Sequence, residues 1–415
     1  MGRIATLVKT ELRGIPKISC LNYLHAMKNG SETSRAENLT RRVIRLFPSL
    51  LMVALVFMFL PGPVSGKGKE DGTSLQPRSE AEALADGIIR PAMKKRQLPS
   101  LVVGIVKNGQ VVVKKGYGVR ALGSGARPDE NTVYYIGSLS KALTAVGLML
   151  LVQQGKVDLN APASEYMKDL PASWRQITVA QFMAHQSGIP QLNMKLPMFR
   201  AMLRSADTMP LSFTPGAKQE YNNFNFAIIG KVIEAVAGMS YLKYMKLEVF
   251  DPLGMTSTGF NIHSGNAATG YRPTPGGSAP IRHEMRGGMY AIPSGHLQGT
   301  VADLLKFYEG LETGKLLKPE AYRQMITRIN PSLSGTPGWF ERKAGEDSIV
   351  TKNGSVPGFQ SIMSFVPGKG DAVIMLWTSR KPKDNALFKV DNELLRQVCG
   401  VGAAHEPLHG DEPQD

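Results

Sequence analysis

The sequence predicts an α+β protein of two lobes. One lobe is an antiparallel sheet built from both chain ends and flanked by helices; the other is mainly helical and comes from the middle. Three observations predict this. Runs rich in Val, Ile and aromatic residues fall near both ends, at 101–117 and 348–377. From Ser138 to about Arg328 apolar residues recur mostly at helical spacing. The 415 residues, 42% hydrophobic and 20% charged, suit a globular chain with a sizeable core. With strands at the ends and helices between, the economical arrangement is one sheet closed by both ends, with the terminal helices laid on it.

Net charge is +15. Residues 1–66 hold nine Lys or Arg and three Glu, leaving 40 basic and 31 acidic residues in the rest. A moderately basic body favours anionic or carboxylate-bearing ligands. Its basic residues are scattered, without the aromatic interleaving of a nucleic-acid face, so no nucleic acid is expected. Cys20 and Cys399 offer neither a disulfide framework nor metal spacing. Cys399, near the end of an apolar helix, reads as a small buried hydrophobe.

Residues 1–66 read as an export-signal region. Arg41, Arg42 and Arg45 form a positive flank. Residues 49–60 are an apolar run, short for a membrane span and right for a signal core. Pro61, Gly62 and Pro63 break it, and Val64-Ser65-Gly66 offers small residues for cleavage. The expectation is a periplasmic or secreted protein. The alternative is an uncleaved signal that anchors it to the membrane, the only membrane contact expected. Residues 67–79 read as a linker, 80–399 as the folded domain and 400–415 as a disordered tail.

A first helix is expected over 80–97, kinked at Pro91. Strands at 101–106 and 111–117 flank Asn108-Gly109, a strong hairpin signal. Helices follow at 138–154, 178–185, 196–205, 224–238, 240–248, 300–313 and 318–328. Thr300 and Asp303 suggest an acidic capping box. The irregular stretches 206–220 and 261–295 are long enough to be functional. Strands return at 348–352, 360–366 and 371–377, and a last helix covers 385–398.

Residues 134–151 organise the rest. A short apolar approach ends at Gly137, Ser138 follows, and Lys141 stands three residues on, at the start of an apolar helix. On a helix the two share a face. A serine hydroxyl is a weak nucleophile until a neighbouring base takes its proton, and this spacing supplies an amine at a helix N-terminus. Alone the pattern is weak: Ser240 and Lys243 repeat it in what reads as a surface helix. Two later motifs strengthen it. Tyr221-Asn222-Asn223 precedes a helix; a tyrosine near lysines can have its pKa lowered and shuttle protons, and Asn223 can both donate to and accept from an amide. Lys352-Asn353-Gly354-Ser355 reads as an edge strand, with a cation and a glycine that lets substrate approach the backbone. Taken singly, the first is an ordinary N-cap and the second an exposed lysine before a turn.

In the order S-x-x-K, Y-x-N, K-x-G, however, they resemble the β-lactamase and penicillin-binding-protein superfamily of serine hydrolases. The class C β-lactamase branch is nearest. The resemblance covers about residues 81–399 and includes Gly116-Tyr117-Gly118-Val119, His185-Gln186-Ser187-Gly188, Phe213-Thr214-Pro215-Gly216 and Pro252-Leu253-Gly254-Met255. These read as structural landmarks, with His185 a packing and hydrogen-bonding residue rather than a base. The resemblance implies that Ser138 is the acylated nucleophile and that Lys141 and Tyr221 manage its proton, Tyr221 activating water for deacylation. Asn223 would hold the substrate's side amide and steady Lys141. Lys352 would attract a carboxylate, with Asn353 and Gly354 beside it. The N–H groups of Ser138 and Ser355 would form the oxyanion hole. No metal or organic cofactor is implied, and no H-E-x-x-H, P-loop or G-x-S-x-G elbow is present.

One departure bears on substrate. Asn353 stands where β-lactamases generally carry Thr or Ser, whose hydroxyl helps bind the β-lactam carboxylate. The expectation is an exported serine hydrolase on a small-molecule or peptide substrate with a scissile amide or ester: a β-lactam or D-alanyl-type amide. The alternative is a carboxylesterase on small acyl esters. A third reading, a non-hydrolysing penicillin-binding sensor, is opposed by the retained Tyr221.

Overall fold

A computed structural model describes residues 79–192, 194, 198–281, 288–379 and 387–402. The expected signal region, the linker up to residue 78 and residues 403–415 of the tail lie outside them. Seven strands form one antiparallel sheet in the order β2-β1-β11-β10-β9-β8-β7. These are β1 (Ser100–Lys107), β2 (Gln110–Gly118), β7 (Gly335–Thr336), β8 (Trp339–Ala344), β9 (Asp347–Val356), β10 (Phe359–Val366) and β11 (Asp371–Thr378). Strands from the two ends of the folded domain meet inside it, where β1 pairs β11 (Gly104↔Ile374). Two small pairs stand apart: β3 (Tyr134–Tyr135) with β6 (Gln298–Gly299), and β4 (Tyr271–Thr274) with β5 (Gly277–Pro280). The β1–β2 hairpin turns on Asn108 and Gly109 with φ of 50° and 76°, the pair of positive angles a type I′ turn requires.

Strand alternation splits the core in two. Leu101, Val103, Ile105, Met375 and Trp377 face one way. They pack on the first helix, α1 (Glu80–Arg96), and the last, α10 (Phe388–Leu394), through Ala85, Ile89, Met93 and Leu394. Val102, Met363, Phe365, Ile374 and Leu376 face the helical lobe. At its centre lies α2 (Ser140–Gln153), buried on all sides from Ser140 to Leu151. Around it stand α3 (Val179–Met183), α4 (Phe199–Ala206), α5 (Asn223–Ala237), α6 (Tyr241–Met245), α7 (Ile292–Gly295), α8 (Val301–Glu312) and α9 (Pro319–Ile326). Behind the sheet, buried Asp391 of α10 accepts from Arg342 Nη2 of β8 at 3.0 Å and from Ser364 Oγ of β10 at 2.7 Å. These bonds tie the last helix to two strands.

Several expectations change. β7 and β8 are not among the expected strands; Arg342 of β8 is buried where Asp391, 49 residues away, pairs with it. The irregular stretch 261–295 contains the β4–β5 hairpin and α7. Thr300 caps α8 through the Asp303 N–H, but the Asp303 carboxylate bonds Ser257 N and Thr258 Oγ1 instead of returning to the cap. The start of the expected tail is packed: Val401 is buried in the second core.

Candidate active site

The nucleophile turn is made by crowding. Gly137 (φ +52°) opens a 3₁₀ turn, Gly137–Leu139, that runs straight into α2, so Ser138 stands two residues ahead of the helix, half-buried. β9 presses against this turn. A Cβ on Gly137 would lie 2.6 Å from Ser355 N; one on Gly354 would lie 2.0 Å from Ile136 O and 2.8 Å from Leu139 N. Gly354 therefore makes room for the nucleophile turn. Ser361 Oγ of β10 donates to Ile136 O at 2.7 Å and pins the same turn from below.

Around Ser138 the three motifs converge. Tyr221 Oη donates to Ser138 Oγ at 2.6 Å, and Lys141 Nζ lies 3.3 Å from the same oxygen. Lys141 Nζ donates to Asn223 Oδ1 at 2.7 Å and to the Ser294 carbonyl at 2.5 Å. Lys352, also buried, brings its Nζ 4.9 Å from the Tyr221 ring centroid, and Lys141 Nζ sits 4.7 Å from it. The repeat at Ser240 and Lys243 is excluded: both are exposed, at the start of α6.

Burial sets the protonation states. Lys141 is held well below the ordinary lysine range by desolvation, helped by the charge of Lys352. Desolvation brings Lys352 down to about 7. Tyr221 moves up, against expectation: burial outweighs its bond to Ser138. It enters as a phenol. A neutral Lys141 has two N–H bonds, which the short contacts to Asn223 and Ser294 use; its lone pair is left for the Ser138 hydroxyl.

β9 is an interior strand as far as Thr351, which pairs Phe340 of β8. From Lys352 to Val356 its outer edge has no strand partner among the described residues, so the expected edge exists only beside Ser138. Alternation turns Lys352 and Gly354 to the Ser138 face. Asn353 pairs Ile362, a residue of the second core, so its side chain leaves the strand on the opposite face. Asn353 is thus not opposite Ser138.

Sequence reading missed the backbone partners. Ser294 holds Lys141, Thr144 Oγ1 donates to Pro293 O at 2.9 Å, and Leu297 N donates to Ser140 Oγ at 3.2 Å. Carbonyl acceptors leave no residue-type signal; only the length of the 261–295 stretch hinted at them. Among the described residues no group of three or more His, Cys, Asp or Glu is placed to hold a metal ion.

Residues 85–397 match the family model described as Beta-lactamase. Protein flp of Staphylococcus aureus (strain COL) is 27% identical over 325 residues, 72% of this chain, which spans only 63% of that relative's length. The octameric penicillin-binding protein homologue from Pyrococcus abyssi is 25% identical with a TM-score of 0.64, over 72% of this chain and 73% of that one. The D-alanine carboxypeptidase AmpC from Burkholderia cenocepacia shares the fold at 23% identity and a TM-score of 0.66, over 76% and 98%. With the sheet, the buried helix and the converging side chains, these matches show that the chain belongs to the beta-lactamase family of serine-hydrolase-type proteins.

Proposed function

We propose that the protein is an exported serine hydrolase that works through an acyl-enzyme at Ser138, on a β-lactam or D-alanyl-type amide. The observation that carries this reading is one oxygen: Ser138 Oγ, 2.6 Å from Tyr221 Oη and 3.3 Å from Lys141 Nζ. The lone pair of neutral Lys141 takes the Ser138 proton as Oγ attacks the substrate carbonyl. Charge on the carbonyl oxygen meets the N–H groups of Ser138 and Ser355, an arrangement typically worth about 3 kcal/mol per donor. The C–N bond breaks and the leaving amine takes a proton from Lys141 through the Tyr221 hydroxyl. Water then gives a proton to the same pair as its oxygen bonds the acyl carbon, the C–Oγ bond breaks, and that proton passes to Oγ, releasing the acid and restoring Ser138. Asn223 steadies Lys141 and meets the substrate's side amide. Lys352 attracts a substrate carboxylate.

The position of Asn353 favours a second reading, a carboxylesterase on small acyl esters, which needs no carboxylate grip. Export rests on residues 41–66, and the mass of the protein recovered from the periplasm or medium tests it. For the chemistry, intact mass should show acyl-Ser138 with a β-lactam or D-alanyl peptide, and nitrocefin turnover should be lost in Ser138→Ala. A stable penicilloyl band without turnover would point to a sensor. Cleavage of p-nitrophenyl esters alone would point to the esterase. Full activity in Ser138→Ala would reject the mechanism.

A further inference from the structure

His185 concentrates two local costs beside the site. Its φ is +57°, a left-handed angle that costs a non-glycine residue on the order of 1 kcal/mol. Its Nε2 is buried and has no hydrogen-bond partner among the described residues. Such costs persist where the surroundings require that residue. Here the requirement is visible. The imidazole packs on the Tyr221 ring, with centroids 4.4 Å apart and planes 31° apart, and it lies parallel to Phe340 of β8 at 6.3 Å. Its Nδ1 accepts the backbone N–H of Asn222 at 3.2 Å, with the Asn225 amide 3.3 Å away. Its own carbonyl accepts Glu220 N at 2.9 Å. One residue therefore touches both sides of Tyr221 in the chain and the ring itself.

We propose that His185 is the positioning residue that sets Tyr221 against Ser138 and, through Asn222, sets Asn223 against Lys141. The inference rests on the acyl-enzyme reading of Ser138. The rest of its loop serves the same segment: Asn222 Nδ2 donates to Ile189 O and Pro190 O, and Gln191 Nε2 to Tyr221 O. Two donors at Nδ1 place the ring proton on Nε2, so the imidazole is neutral. The charged groups that bear on it are Lys352 from β9 and Lys141 from α2; both oppose its protonation, as does burial. Phe340 of β8 and Asn225 and Phe226 of α5 complete its surroundings without charge. A neutral plate supports the phenol without adding a cation beside the buried lysines.

The test uses the full chain and a fluorophosphonate probe that labels activated serines. His185→Phe keeps a plate and loses the acceptor. His185→Asn tolerates the left-handed angle and puts an amide oxygen where Nδ1 was; His185→Gln reaches the Nε2 position instead. In folded variants, judged by near-UV circular dichroism, Phe and Gln should slow Ser138 labelling about tenfold or more, as misplacement of a catalytic group does. Asn should recover most of the loss, and the pH profile of labelling should shift in Phe and Gln but not in Asn. If Phe does not fold, the Asn–Gln pair decides. Equal rates and equal pH profiles in Asn and Gln overturn the proposal. Absence of labelling in the wild type rejects the Ser138 reading instead.

Discussion

At the scale of single residues, Lys141 carries the most consequence. Its amine is buried, donates to Ser294 and Asn223, and faces Ser138. Desolvation and Lys352 keep it neutral far below the ordinary lysine range. Acylation should therefore rise with pH through a midpoint well under 10.5. Lys141→Met should slow it about 10²-fold or more, the usual worth of a positioned base. Pre-steady-state acylation of Ser138 across pH checks both; a rate that does not depend on pH, or a Met variant as fast as wild type, removes Lys141 from the base role. Tyr221 shows why distance alone misleads: two lysines stand beside its ring, yet burial raises the phenol.

At the scale of elements, the site is a junction between β9 and the 3₁₀ turn that leads into α2. Close approach is possible only because Gly354 lacks a side chain. Gly354→Ala would set a Cβ 2.0 Å from a backbone oxygen, which no side-chain rotation relieves. Strand and turn must separate, and a shift of about 1 Å at Ser355 N is expected to lower activity about 10²-fold. Gly277→Ala, where nothing lies within 4 Å, is the control and should be silent. Comparing kcat and thermal midpoint of the two variants checks this. If Gly354→Ala is as active as the control, the junction does not set the oxyanion hole. The same junction explains the edge at Lys352–Val356: β8 stops pairing at Thr351, leaving β9 open where the nucleophile stands.

At the scale of the whole molecule, two buried lysines set a stability trend. Lys352 titrates at about 7 when folded and at the ordinary 10.5 when unfolded. Between those values the unfolded chain binds the extra proton, so stability should rise with pH. The slope is at most about 1.4 kcal/mol per pH unit for each such lysine. Above pH 10 the buried phenols, held protonated in the fold, reverse the trend. Urea midpoints should climb from pH 7.5 to 9.5, less steeply in Lys352→Met; a flat wild-type curve contradicts the buried-lysine account. The gross fold was readable because apolar periodicity is a local property: both ends alternate, the middle repeats at helical spacing, and Asn108-Gly109 requires a turn. β8 was not readable, since its buried Arg342 depends on Asp391 in a distant helix.

By itself, the sequence determined the two-lobed α+β plan, the family resemblance, and the choice of Ser138, Lys141, Tyr221, Asn223 and Lys352 as partners, because residue type and order carry that information. Only the tertiary structure decided how they meet. Burial reversed the expected direction for Tyr221 and lowered both lysines. Strand alternation turned Asn353 away from Ser138. Backbone crowding gave Gly354 its task, and chain segments far apart in sequence brought the Ser294 carbonyl to Lys141 and His185 to Tyr221. Solvation, facing and backbone contact depend on what surrounds a residue, and those surroundings form only when the chain has folded.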